Sequence, residues 1–102
     1  MKRAYELGEL LERLAAGAIV PVDAEDWDDW REAFTVVEEN ATVMAGLQRL
    51  VRWPVPGTRR RGWALVEEAE PGLLAVRPLT DEPEARALIA DRLAAYERMW
   101  DG

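Results

Sequence analysis

The sequence contains no histidine and no cysteine. Without imidazole, no side chain has an ordinary pKa near neutrality, and without a thiol there is no cysteine nucleophile. A Ser-His-Asp or Cys-His catalytic relay is therefore excluded, and zinc, haem, iron–sulfur and copper sites lose their usual protein ligands. Carboxylate chemistry, recognition of anions by arginine and binding by shape remain. We therefore predict no metal and no cofactor, and we lean against an enzyme.

Long apolar runs are also missing. No stretch reaches the roughly 18 apolar residues that a membrane helix needs, and the first residues lead directly into acidic, helix-patterned sequence rather than a signal peptide. The lack of cysteine fits a reducing compartment. With 102 residues, the chain is long enough for one modest core. These features predict one cytoplasmic domain over residues 1–102 that makes no contact with a membrane.

Charge is segregated along the chain. The net charge is −7, which argues against a nucleic-acid partner because binding to phosphates needs a cationic surface. Residues 23–39 contain eight acidic residues and one arginine, whereas residues 40–66 contain five arginines and no acidic residue. Either the two blocks pair within the molecule, or the basic block binds an acidic partner.

Apolar spacing predicts three helices. The first lies within residues 2–16, where leucines recur at helical spacing before Gly17. The last begins at a cap provided by Thr80 or Asp81, with Pro83 in its first turn. The second opens at Asp23, and at 100° per residue its core face carries Trp27, Trp30, Phe34 and Val37.

The second helix is predicted to be long and central. A nearly opposite face is also apolar and carries Val36, Val43, Leu47 and Leu50. Two apolar faces indicate either a helix packed between other elements or an oligomer interface. A break near Asn40 would split this segment into two helices, and Pro54 and Pro56 end it.

One β-hairpin follows. Residues 63–68 and 73–77 have strand composition and are joined by a turn containing Pro71-Gly72. Residues 18–22 are expected to form an extended connector that is too short for a paired strand. The predicted fold is thus α+β, a mostly helical single domain with one hairpin in the order α-α-β-β-α. A homodimer would form on the second apolar face of the central helix or on the hairpin edge.

The strongest candidate site is a run of three arginines, Arg59–Arg61, between two glycines. Guanidinium groups bind carboxylates or phosphates through paired hydrogen bonds, and the flanking Trp53 and Trp63 could stack against a ligand. The sequence therefore predicts a non-enzymatic interaction or regulatory module that binds a protein with an acidic or anionic surface. In a variant of this hypothesis, the acidic surface of residues 23–32 binds a basic target. Capping and solvation of a helix start explain those acids better than a metal site does.

An alternative is a small enzyme or ligand-binding protein. Arg92 falls on an otherwise apolar helix face, where it would point outward, pair with a buried acid or face a ligand. With Tyr96 and Glu67 it could line a pocket between the hairpin and the helices. This hypothesis requires a concave site that solvent can reach and that contains Arg92.

Overall fold

A computed structural model describes residues 6–42 and 46–101 of the chain. Five antiparallel strands form one sheet in the order β1-β5-β4-β3-β2. The elements are α1 (Leu7–Ala15), β1 (Val20–Asp23), α2 (Ala24–Trp30), a short 3₁₀ helix (Arg31–Ala33), β2 (Thr35–Thr42), β3 (Gly46–Pro54), β4 (Arg61–Glu70), β5 (Leu73–Leu79) and α3 (Glu82–Asp101).

Helices cover both faces of the sheet. On one face, α1 and α2 contribute Leu10, Leu14, Trp27 and Trp30 to the larger buried cluster, which includes Val51 of β3. On the other face, Ala85 and Ile89 of α3 pack against Leu50 and Leu65. Successive residues of one strand, such as Leu50 and Val51 of β3, therefore enter different clusters, because their side chains point to opposite faces of the sheet. Among the residues that the structure describes, no helix is long and apolar enough to cross a membrane.

The prediction of a mostly helical domain with one hairpin is wrong. The segment expected to form the long central helix contains only α2, which ends at Trp30, and then strands β2 and β3. Asn40, the expected site of a kink, lies in β2 and pairs with Gln48 of β3. The two apolar faces have a different cause, because β3 is an interior strand with helices above and below it. Val43, assigned to one of those faces, lies outside the described residues.

The connector prediction is also wrong. Val20–Asp23 forms β1, which pairs with Leu73–Val76 of β5. Val20 and Val22 point into the larger core and are almost completely buried, while Pro21 and Asp23 are exposed. A strand of four residues is stable here because its partner strand and the core below it supply the contacts that a short segment lacks.

Two local predictions are confirmed. Helix α1 ends before Gly17, whose φ of +87° is readily adopted by glycine. Strands β4 and β5 pair with each other across Pro71 and Gly72. Each of these strands also has a second partner, β3 or β1. Neighbouring strands therefore cover most of the hairpin edge, except at its ends such as the last three residues of β5, and homodimer formation stays a prediction.

The start of α3 is capped as expected. The Asp81 carboxylate accepts a hydrogen bond from the backbone N–H of Glu84 at 2.9 Å, and the Glu84 carboxylate accepts one from the N–H of Thr80 at 2.6 Å. This reciprocal arrangement satisfies two N–H groups at the helix start. Hydrogen bonds from Thr80, through its side chain and then its backbone, hold the pKa of Glu84 below its ordinary value of 4.5.

We expect the stabilising effect of Glu84 to depend on pH. A carboxyl group whose pKa is lowered by folding stabilises the native state above its unfolded pKa, and this effect is lost as the pH falls through the folded pKa. Glu84→Gln should therefore lower the melting temperature slightly at about pH 7, and the difference should shrink as the pH falls below the ordinary glutamate pKa of 4.5. Thermal melts of both proteins from neutral to acidic pH test the expectation. A difference that does not change with pH would contradict it.

Candidate functional site

The arginine loop, defined as Arg59–Arg61, lies at the turn between β3 and β4, and Arg61 is the first residue of β4. The N–H of Val55 donates to the carbonyl of Arg60 at 3.1 Å, and the N–H of Thr58 donates to the carbonyl of Val55 at 3.2 Å. The Thr58 hydroxyl donates to that same carbonyl at 3.0 Å and accepts from the N–H of Arg60 at 3.0 Å. Gly57 has a φ of +75° that the turn requires. The backbone that carries the three arginines is therefore held in one conformation.

All three arginines of the loop are exposed. In the part of the chain that the structure describes, the ion pairs involve Arg13, Arg49, Arg86 and Arg92, and none involves the arginine loop. Arg61 donates through Nη2 to the Thr35 hydroxyl at 2.7 Å, a neutral acceptor on β2. The described acidic residues of α2 therefore do not neutralise the loop, although the sequence left this pairing open.

Trp53 is a core residue. Only 4% of it is exposed, and its indole Nε1 donates to the carbonyl of Trp63 at 3.1 Å. It pairs across strands with Gly62, where a Cβ atom would lie 2.6 Å from Cζ2 and 2.7 Å from Nε1 of the indole. The indole ring therefore packs directly against Gly62, which has no side chain. Its burial leaves little ring surface on which a partner could stack, although the residue contributes to the lining of the open groove beside the arginine loop.

Trp63 is partly buried on the α3 side of the sheet, and an arginine already occupies one face of its ring. The guanidinium carbon of Arg52 lies 4.2 Å from the ring centroid, within cation–π distance. Arg52 also donates to the carbonyl of Gly62 at 3.2 Å and to that of Arg61 at 2.9 Å. Sequence reasoning did not single out Arg52, which braces the end of β4 and adds a positive charge beside the arginine loop.

An open groove of about 360 Å³ lies beside the arginine loop. Its cationic side is formed by Arg60 and Arg61, and its opposite side includes Gly17 after α1 together with Pro78 and Leu79 at the end of β5. We call this the first groove. Strand pairing and the end of α1 create it, so no local sequence pattern could have indicated it.

Two residues of the alternative pocket, Arg92 and Glu67, pair with each other. Arg92 Nη2 donates to Glu67 Oε1 at 3.0 Å, and Arg92 Nε lies 3.0 Å from Oε2, though its N–H is not aligned for a hydrogen bond. The buried Gln48 also donates to Glu67, at 3.1 Å. Arg92 thus pairs with a carboxylate, one of the outcomes that the sequence left open. Tyr96 lies in α3, but its side chain is outside the described part of the structure.

The acidic run occupies α2 and its flanks. Asp23 precedes α2 but makes no capping hydrogen bond with its side chain, unlike Asp81 at α3. Over residues 6–42 and 46–101, the structure contains no group of three or more acidic side chains arranged to hold a metal ion. The run therefore provides charge on a helix surface.

Comparison with known proteins identifies no relative: no family model matches the chain, and it has no significant similarity to a curated protein or to a solved structure.

Proposed function

We propose that this protein is a non-enzymatic interaction module that binds an acidic partner through the arginine loop. The observation that supports this function is the ordered turn that presents three exposed arginines without a described carboxylate partner. In a protein with a net charge of −7, a concentrated basic surface makes association directional, because other surfaces repel an acidic partner.

The ordered turn favours binding over a purely solubilising role. Each arginine side chain loses rotamer freedom when it binds, which costs roughly 0.5–1.5 kcal/mol per side chain. A backbone already held by four hydrogen bonds around Val55 and Thr58 adds little to that cost. Arg52 lies behind the loop and raises the local positive potential further. The surface offered to a partner consists of guanidinium groups, which bind carboxylates through paired hydrogen bonds.

Capture of partners from the lysate of the source cell tests this function. We expect a variant carrying Arg59→Glu, Arg60→Glu and Arg61→Glu to lose at least about 90% of a partner that the native protein retains. This loss requires only a tenfold fall in affinity, which corresponds to about 1.4 kcal/mol. Quantitative mass spectrometry of the captured proteins measures the loss, with circular dichroism to verify folding.

A variant with the same change in net charge is the matched control. Arg13→Glu, Arg31→Glu and Arg98→Glu alter three exposed arginines outside the loop. We expect this control to retain the partner that the loop variant loses. Equal losses in both variants would show that total charge rather than the arginine loop drives association, and no loss in the loop variant would refute the proposed surface.

A further inference from the structure

A second groove adjoins the first and continues around the end of β5. It has a volume of about 460 Å³ and shares Gly17, Pro78 and Leu79 with the first groove. Strand β1 pairs with β5 only as far as Val76, so the last three residues of β5 have no neighbour from β1. The two grooves therefore adjoin at the end of β5, the first reaching the arginine loop and the second lying between β5 and α3.

The second groove has an apolar wall and a cationic group. Ile19 is 49% exposed, and Leu79 and Leu88 are partly exposed beside it. Arg77 also lines this groove, and its Nε is buried without a hydrogen-bond partner in the part of the protein that the structure describes. A buried donor without an acceptor costs roughly 1–3 kcal/mol. Because Nε is buried, a ligand in the groove cannot form a hydrogen bond with it, and Arg77 contributes its positive charge to this wall.

The charge pattern favours a particular kind of ligand. Glu84 lines the same groove as Arg77, and its lowered pKa keeps it ionised at neutral pH. A continuous polyanion such as nucleic acid would be repelled by Glu84 and would gain nothing from Ile19. A peptide instead has neutral backbone carbonyls that accept hydrogen bonds, together with side chains of both acidic and apolar character.

We propose that the two adjoining grooves bind an extended peptide segment of the partner protein, with acidic side chains at the arginine loop and a bulky apolar side chain against Ile19 and Leu88. The inference rests on the proposed function, since the acidic half of the segment binds the same arginine loop. It adds the second groove to the site and requires the partner segment to carry an apolar side chain.

Selection from a phage-displayed library of random peptides, each about ten residues long, tests the groove. We expect enriched peptides to combine acidic residues with one bulky apolar residue. Ile19→Glu should weaken their affinity at least about tenfold, because a charge would be placed against the apolar side chain. Val37→Glu is the matched control, since Val37 is 44% exposed on the distant edge strand β2, and it should leave the affinity unchanged.

The outcomes distinguish this inference from the proposed function. Selected peptides that are only acidic, and that lose affinity on replacement of the arginine loop but not on Ile19→Glu, would overturn the groove inference and leave the proposed function standing. Failure to enrich any peptide would overturn the groove inference as well. The lysate capture decides the proposed function independently.

Discussion

We expect Gly62→Ala to destabilise the protein by about 2–4 kcal/mol, a large effect for the addition of one methyl group. The new Cβ would lie 2.6 Å from Cζ2 of Trp53, so the indole would have to move within a core where it is only 4% exposed. Moving it would also break the hydrogen bond from Nε1 to the carbonyl of Trp63. Urea unfolding monitored by tryptophan fluorescence would show a lower midpoint.

The same substitution at Gly8 is the matched control and has the opposite expected sign. Gly8 lies in α1, and a Cβ there would meet no atom within 4 Å. Alanine is favoured over glycine within a helix by up to about 1 kcal/mol, so Gly8→Ala should raise the midpoint. Equal effects at Gly8 and Gly62 would contradict the close packing of Gly62 against Trp53.

The contact with Trp53 can be tested directly by a double-mutant cycle. Phenylalanine has no indole nitrogen and lacks the second ring, so Trp53→Phe removes two of the three atoms nearest the added Cβ. We expect Gly62→Ala to cost clearly less in the Trp53→Phe background, because residues in contact have non-additive effects. Additive effects would show that another contact limits position 62.

Local sequence signals predicted the elements whose causes are local. The leucines of α1, the turn at Pro71 and Gly72, and the cap formed by Asp81 lie within or directly beside the elements that they specify. Each of these elements formed as expected, because short-range hydrogen bonds and one apolar face are sufficient to specify it.

The segment from Thr35 to Pro54 was misassigned for two physical reasons. Strand β3 is buried on both faces, so it lacks the alternation of polar and apolar residues that marks a strand exposed on one side. Strand β2 contains a bulge between Val36 and Glu38 that interrupts the period of two. The β-branched pair Val36 and Val37 was the signal that favoured a strand.

The candidate site could be predicted only in part. The exposure of the arginine loop followed from its position between glycines and prolines, but the burial of Trp53 depended on pairing β3 with β4. The grooves depend on segments that are distant in sequence, namely the end of α1, the turn between β3 and β4, and the end of β5 with the adjacent α3. Without the strand assignment of β3, no register could place Trp53 on Gly62 or bring Arg52 over Trp63.

We expect Leu65→Ala to destabilise the protein by about 2–5 kcal/mol, the range for a leucine truncated in a core. Leu65 lies in the central strand β4 and is completely buried in the smaller cluster, where Ala85 and Ile89 anchor α3 to the sheet. The smaller cluster has few members, so few neighbouring side chains can move to fill the cavity that this substitution leaves. Urea unfolding would measure the loss, and hydrogen exchange would show earlier opening of α3.

Leu93→Ala is the matched control on α3. Leu93 is 36% exposed, so its truncation should cost clearly less than that of the completely buried Leu65, because less apolar area is lost from the interior. A large difference between Leu65→Ala and Leu93→Ala would confirm that the start of α3 supplies its attachment to the sheet. Equal losses would contradict this, because they would mean that α3 packs through its exposed residues as strongly as through Ala85 and Ile89.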